Sequence, residues 1–400
     1  MPSTFSWVDF EEKDRQKMLE VIKMFQESDT RDELGIGTIR DAFSNMFFPG
    51  TTTIQTRVKY MLFIPWIYLR HEKKKTPSRE IAQKVWADEV ALIRALKNSD
   101  NPEGIIGDAA GESLQRMPSS IYWYGLGRWG IRKFHGSSEE LHRYLDDYYS
   151  AKTNVLLDDD KEPVSGSVRH NWHQGLPPAP AGFPYEASFR LNRVQAEYLT
   201  DRIMHQCKDS LLAYLVSNED QSNSKYIWEH PELSRFPEAL QDRINHARNF
   251  SLAINGAALL YNLLLAEQRN SDELVERYKQ KLEQWVKTMA AINYWSWNQM
   301  KFWELVDEAG RIPVPTRRFV SDWLRLACRP TRWHRVADNK DARALIALRE
   351  RRLKGNRARL ENRRALELWT GAAGTSVLSY RWPVAQRMVN DILDGVQEGM

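Results

Sequence analysis

Cysteine is scarce in this chain of 400 residues, where Cys207 and Cys328 are the only two. Two cysteines far apart make neither a disulfide framework nor a four-cysteine metal site, which suits a reducing compartment. The opening residues lack a basic segment followed by an apolar one, so no secretion signal is expected. No run of 18 apolar residues occurs either, which predicts that no segment spans a membrane. We therefore expect a cytoplasmic protein.

Recognisable catalytic motifs are lacking as well. The sequence has no phosphate-binding loop ending in Gly-Lys-Ser/Thr, no HExxH, no GxSxG and no CxxC. No cofactor and no bound metal are therefore expected. One local cluster keeps a metal-dependent nuclease open as an alternative, because carboxylates and imidazoles bind divalent cations. Its members are Asp158, Asp159, Asp160, His170 and His173. The simpler interpretation of the aspartate run is a solvated loop.

Helical periodicity covers most of the chain, and no segment shows the alternation of a half-buried strand. We predict an all-α fold with two helical lobes joined by a Pro-rich linker. The predicted division is an N-terminal helical domain at 1–150, a Pro/Asp-rich linker over the surface at 151–189, a central helical domain at 190–310 and a basic helical region at 311–400.

Two apolar stretches predict buried helices. Tyr60 to Leu69 carries no charge, Pro65 predicts a kink or an end there, and Thr51–Thr53 offer N-cap hydroxyls. Phe250 to Leu265 predicts the central helix of the second half. The polar side chains around it, including Asn255 and Asn262, are expected to bond neighbouring helices.

Local signals place two further helices. Apolar positions recur at helical spacing from Ser78 to Leu96. Another helix is predicted from Ser137 to Tyr149, and Ser137 and Glu140 have the spacing of a capping box.

Positive charge is concentrated in one region. Residues 311–370 hold 15 Arg and 2 Lys against 6 Asp or Glu, a net charge of +11 in a chain whose total is +4. One long helix is predicted from Asp341 to Trp369, with apolar residues every seven positions and with Arg349, Arg352, Arg359 and Arg363 on one side. Arginine binds phosphates bidentately, so this pattern favours nucleic-acid binding. The candidate binding residues are Arg343, Arg349, Arg352, Arg357, Arg359 and Arg363. The alternative is a solvated helix whose arginines pair with the acidic remainder of the chain.

Several separated segments carry a resemblance to a known family: Leu34 to Asp41, Phe48 to Arg57, Phe63 to Trp66, Pro118 to Trp123, Leu366 to Gly371 and Tyr380 to Trp382. Together they resemble an uncharacterised family of bacterial proteins, classified as a domain of unknown function, over nearly the whole chain. The resemblance implies an origin in phage-defence islands, beside helicases and phospholipase-D-like nucleases. It implies no active residues.

The predicted function is therefore a non-enzymatic subunit of a bacterial defence system against phages or mobile elements. Such a subunit would engage nucleic acid or a nucleoprotein partner through the Arg-rich region, with a helicase or a nuclease as possible partner proteins. Two alternatives stay open: a protein–protein scaffold, with which the long apolar helices and 15 Trp are compatible, and the metal-dependent nuclease.

Overall fold

Helices account for all of the regular structure that a computed structural model describes, apart from short 3₁₀ turns. The described residues are 32–108, 114, 116–153, 170–218, 221–292, 297–327 and 336–398. Over these ranges there is no strand, and β-type pairing is limited to one isolated antiparallel bridge between Arg132 and Trp172. The all-α prediction is confirmed.

Fourteen α-helices lie in the described ranges. Their bounds are α1 Gly37–Phe47, α2 Tyr60–Lys73, α3 Ser78–Lys97, α4 Pro118–Arg128, α5 Ser138–Thr153, α6 Arg193–Gln206, α7 Leu211–Ser217, α8 Glu238–Gln268, α9 Asp272–Ala291, α10 Gln299–Ala309, α11 Val314–Ala327, α12 Lys340–Lys354, α13 Arg363–Glu367 and α14 Trp382–Gln397. The helix predicted from Ser78 is confirmed, and so is the capping box of α5, in which Ser137 and Glu140 bond each other's backbone N–H.

The chain divides into two compact units, each built from separated stretches of sequence. The first unit comprises 1–43 and 242–378, and the second comprises 44–241 and 379–400. The predicted boundaries at 150, 189 and 310 fall inside these units and stay a prediction about domains. Residues 170–189, expected to cross the surface as a linker, instead contribute the buried side chains of Trp172 and Phe189 to the second unit.

Helix α2 lies in the core of the second unit, as its lack of charge predicted. Its residues from Tyr60 to Tyr68 are all buried. Pro65 lies inside the helix, which continues to Lys73, so of the predicted kink or end near Pro65 the end does not occur. The threonine caps are also wrong, because Thr51 belongs to the preceding loop, where its hydroxyl donates to the Phe48 carbonyl at 2.7 Å.

The loop at 48–57 connects α1 to α2 through contacts that only small residues allow. Trp129 donates its indole N–H to the Pro49 carbonyl at 2.8 Å. A Cβ atom on Gly50 would lie 2.5 Å from that indole nitrogen, and Gly50 has φ +85°. Glycine is therefore required at this position for two reasons: the positive φ angle and the close approach of Trp129.

The same loop is anchored to α14 by a buried ion pair. Arg57 binds Asp391 bidentately, with nitrogen–oxygen distances of 2.8 and 3.0 Å, and both residues are less than a tenth exposed. Asp391 also accepts the Val58 backbone N–H at 3.2 Å. Burial raises the pKa of Asp391 above its usual value, and the Arg57 guanidinium opposes that rise. A pair so placed fixes the position of the loop.

Two consecutive residues before α14 have left-handed backbone. Tyr380 and Arg381 have φ +53° and +67°, a conformation that costs about 1 kcal/mol or more for a residue with a Cβ. Contacts within the second unit hold them there. Tyr380 packs edge-on against Phe47, and Arg381 donates to the Thr51 carbonyl at 2.7 Å.

Helix α8 forms the centre of the first unit from residue 242 onward. Trp285 donates to the Leu252 carbonyl at 2.7 Å, and Trp323 donates to the Ala253 carbonyl at 2.9 Å. Gly256 allows this approach, because a Cβ there would lie 2.4 Å from the Trp285 ring. By length and composition α8 is the one described helix that could cross a membrane, which is weak evidence, since 78% of its apolar window is buried by packing.

A non-helical segment at 369–378 lies along α8 and α9 and is held by side chains. Its backbone carbonyls accept hydrogen bonds of 2.6 to 3.1 Å from Ser251, Asn255, Asn262, Arg269 and Tyr278. The side-chain amide nitrogens of Asn255 and Asn262 are thus paired, whereas Asn262 Oδ1 has no hydrogen-bond partner in the described structure. The partner of these nitrogens is this segment rather than the neighbouring helices that the sequence predicted, because a non-helical backbone leaves its carbonyls available.

Candidate nucleic-acid interface

The Arg-rich region is not one long helix. Helix α12 ends at Lys354, a 3₁₀ turn follows at Gly355–Arg357, and α13 begins only at Arg363. Gly355 has φ +51°, a conformation that ends a helix and that glycine adopts at low cost. The predicted helix from Asp341 to Trp369 is therefore wrong. The arginines predicted to share one helical face lie on separate elements.

Arg349 is a structural residue of the first unit. It is 5% exposed, and its guanidinium donates to the carbonyls of Leu34, Gly35 and Pro315 at 2.8, 2.9 and 3.1 Å. It also bonds the Thr316 hydroxyl at 3.0 Å. Burial lowers the pKa of Arg349. With its donors used by the protein itself, Arg349 is not available to a phosphate.

Two more of the predicted arginines are held by carboxylates of the same unit. Arg343 forms an ion pair with Glu267 and donates to the Ala337 carbonyl at 2.8 Å. Arg359 lies 3.1 Å from a Glu33 oxygen, and its side chain is 12% exposed. For these residues the alternative interpretation, pairing with acidic residues elsewhere in the chain, describes the structure.

Glu33 shows how strong this pairing is. Burial alone would raise the pKa of its carboxyl, yet Lys354 and Arg359 together lower it below its usual value. The pair charges therefore outweigh the desolvation cost. An ionised Glu33 fixes both cations against the first unit.

A fully buried carboxylate sets the geometry of the turn after α12. Glu350 is 0% exposed and accepts the backbone N–H groups of Arg359 and Leu360 at 3.0 and 3.1 Å. It also accepts the Tyr261 hydroxyl and lies 3.2 Å from the Lys354 ammonium. Both carboxylate oxygens are thus used, and they tie the chain after the 3₁₀ turn back onto α12.

Five arginines around this turn are exposed, and we refer to them as the arginine corner: Arg351, Arg352, Arg357, Arg363 and Arg364. Arg351 lies 3.6 Å from Glu361, and Arg363 lies 3.5 Å from Glu367, in pairs whose side chains are at least half exposed. Such pairs contribute little. Within the described part of the chain, the other three have no carboxylate within salt-bridge distance. Three of the six predicted residues, Arg352, Arg357 and Arg363, belong to this corner.

The predicted metal cluster is only partly placed. Asp158, Asp159 and Asp160 lie outside the described residues. His170 is exposed and His173 is half-buried. Over the described ranges, no group of three His, Cys, Asp or Glu side chains is arranged to hold a metal ion.

One constellation was not foreseen from the sequence. His71 lies 3.1 Å from the Thr76 hydroxyl through one ring nitrogen and 3.1 Å from Asp88 through the other, and Arg70 lies 2.8 Å from the same Asp88 oxygen. Hydrolases use this order of groups. Here Thr76 is 8% exposed and the chain of bonds joins the end of α2 to α3. We interpret it as a cap of that helical hairpin.

Comparison with known proteins gives the family. A family model described as a family of unknown function, DUF6361, matches residues 2–396. The chain therefore belongs to that family, in agreement with the resemblance to a domain of unknown function. Comparison with curated proteins and with solved structures found no match.

Proposed function

We propose that this protein is a non-enzymatic subunit that binds nucleic acid through the arginine corner. The observation that carries the proposal is the exposure of five arginines within residues 351–364, of which three have no carboxylate partner in the described structure. Exposed guanidinium groups retain N–H groups that can donate hydrogen bonds to the oxygens of a phosphate.

Rigidity supports the same proposal. The buried Glu350 fixes the backbone on both sides of the 3₁₀ turn, and Lys354 is held by Glu33 and Glu350. The exposed arginines therefore extend from a backbone that needs no ordering when a ligand binds. A binding group on a fixed backbone loses less entropy on association.

The proposal predicts the salt dependence of binding. If all five arginines neutralise phosphates, the slope of log K against log salt is about −4.5 on duplex DNA and about −3.5 on a single strand. Between 50 and 200 mM salt, duplex affinity then falls about 500-fold. Electrophoretic shift or fluorescence anisotropy with duplex and single-stranded DNA and RNA measures this slope.

The test compares two variants of equal charge. One changes the arginine corner to glutamine at all five positions. The matched control changes five exposed lysines to glutamine elsewhere: Lys73, Lys74, Lys84, Lys208 and Lys279. Both lower the formal net charge from +4 by five units. We expect the corner variant to lose binding and the control to keep most of it. Equal losses would show that net charge alone is responsible, and no binding by the wild type would reject the proposal.

A protein–protein scaffold is the second candidate, favoured by exposed apolar residues of the same region. Leu353 and Leu368 are 43% and 78% exposed. Exposed apolar patches rimmed by polar residues mark protein–protein interaction sites. If wild type binds no nucleic acid, changing both leucines to serine and measuring co-purification of partners tests the scaffold directly.

We infer the biological setting from the resemblance described above. Its association with defence islands supports a cytoplasmic role beside a helicase or a phospholipase-D-like nuclease. A plaque assay in a bacterial host that expresses the chain with its neighbouring genes tests this role. The arginine-corner variant should lose protection, while equal plaque counts with and without the chain would contradict it.

A further inference from the structure

An exposed apolar surface lies in the first unit, where α10 is followed by α11. Met300 on α10 and Val314 at the start of α11 are 75% and 74% exposed. Trp303 is half-buried and follows Met300 by one helical turn, so the two side chains are neighbours on α10. Pro313 and Pro315, on either side of Val314, are exposed as well.

Contacts of one arginine join the two helices at this surface. The Arg317 guanidinium carbon lies 4.5 Å from the centre of the Trp303 ring, and Arg317 forms an ion pair with Asp307 of α10. On α11, Arg317 follows Val314 by one helical turn, so these two side chains are neighbours. Four side chains thus follow one another across both helices, and we refer to them as the α10–α11 surface: Met300, Trp303, Arg317 and Val314.

Buried aromatic packing fixes the position of α10. Phe302 is 0% exposed, and its ring lies 4.9 Å from that of Trp303, 5.1 Å from that of Trp297 and 5.2 Å from that of Phe250 on α8. Such packing holds the exposed side chains of α10 on a rigid base. A partner that binds to a rigid surface loses less entropy on association.

The composition of the α10–α11 surface is that of a protein interface. Tryptophan and arginine are the residues that most often dominate binding energy in protein interfaces, and methionine is enriched there. The indole N–H of Trp303 is accessible to solvent and has no hydrogen-bond partner over the described residues. A partner protein therefore gains both apolar contact and a hydrogen bond from Trp303.

Unpaired charges of both signs border this surface. Glu304 and Glu308 are exposed on α10, and Arg311 and Arg318 are exposed in the loop and on α11. Over the described residues, none of the four has an ion-pair partner. The acidic pair repels the phosphates of a nucleic acid. A second copy of the same surface, by contrast, offers a basic side to the acidic side and an acidic side to the basic side.

We propose that the α10–α11 surface joins two copies of this chain in a dimer with two-fold symmetry. Each residue pair occurs twice in such an interface, so Glu304 and Glu308 of each copy face Arg311 and Arg318 of the other. The exposed apolar side chains are then buried at the centre, inside a border of ion pairs. This interface shares no residue with the arginine corner.

The test compares two valine substitutions in sedimentation velocity of the full chain over a wide range of protein concentration. Wild type should pass from monomer to dimer. Val314→Glu should weaken self-association by at least about tenfold, because it places a charge at the centre of the interface. Val194→Glu is the matched control and should associate like wild type. Val194 is 62% exposed in the second unit and, like Val314, lies in the first turn of its helix, where glutamate is favourable. A wild type that stays monomeric, or equal association by Val314→Glu, overturns the proposal.

Charge reversal tests the pairing of the two borders. Changing Glu304 and Glu308 to arginine, or Arg311 and Arg318 to glutamate, places like charges opposite each other in a homodimer. Each variant alone should therefore stay monomeric at concentrations where wild type dimerises. An equimolar mixture of the two variants places opposite charges together, and native mass spectrometry should detect a dimer with one copy of each. A mixture that stays monomeric overturns the two-fold arrangement.

The arginine-corner variant shows whether the dimer depends on the other surface of the first unit. It changes no residue of the α10–α11 surface or its border, so it should associate like wild type. Loss of dimer in this variant would show that the arginine corner joins the copies, and would overturn the proposal.

Discussion

Removal of the Glu350 carboxylate should destabilise the first unit more than any change in the arginine corner. In Glu350→Ala the backbone N–H groups of Arg359 and Leu360 lose their buried acceptor, and Lys354 loses one of its two carboxylate partners. Leaving a buried donor unpaired costs about 1–3 kcal/mol, and breaking a buried ionic network costs about 3–5 kcal/mol. We expect a loss of about 4 kcal/mol in the free energy of unfolding.

A graded series tests this reasoning. Glu350→Gln keeps one acceptor oxygen and the side-chain volume but removes the charge, so its loss should be about half as large. Glu361→Ala, at an exposed acidic residue of the same region, is the control and should change stability by less than about 0.5 kcal/mol. Urea denaturation followed by circular dichroism measures all three. A loss below about 1 kcal/mol for Glu350→Ala would refute the assignment of Glu350 as the residue that fixes the turn.

The same variant links stability to the proposed function. Glu350→Ala leaves all five exposed arginines in the sequence but frees the backbone that presents them. Nucleic-acid affinity should therefore fall even at temperatures where the variant is folded. Unchanged affinity in a folded Glu350→Ala protein would show that preorganisation of the corner contributes nothing.

Two further predictions concern the cores. Gly256→Ala should destabilise the first unit by about 1–3 kcal/mol, because the added Cβ meets the Trp285 ring at 2.4 Å; a neutral result in thermal unfolding would contradict that packing. Burial raises the pKa of Glu89 to about 7, against hydrogen bonds from Ser119 that lower it, so the folded state binds the extra proton. The free energy of unfolding should fall as pH rises from about 4.5 to about 7, on the order of 2–3 kcal/mol. Glu89→Gln should lack this fall, and parallel pH profiles would contradict the assignment.

The periodicity of the sequence was sufficient to predict secondary structure where neighbouring residues decide it. The all-α class, the helix from Ser78 and the capping box of Ser137 and Glu140 depend on spacings of a few residues. The burial of α2 follows in the same way from ten uncharged positions. Glycine is a poor helix former, and Gly355 lies in the middle of the helix predicted from Asp341 to Trp369, but the apolar periodicity on both sides of it favoured one helix.

The burial and the pairing of the individual arginines could not be predicted from their spacing in the sequence. Arg349 is buried because its guanidinium donates hydrogen bonds to the carbonyls of Leu34 and Gly35. Both carbonyls are more than 300 positions away in the sequence. Arg359 is paired with Glu33, which is also more than 300 positions away in the sequence. A charge pattern reports how many cations a segment has, whereas their partners depend on which distant backbone folds against them. The sequence by itself therefore determined the all-α class and the excess of positive charge, and the tertiary structure decided which cations are exposed.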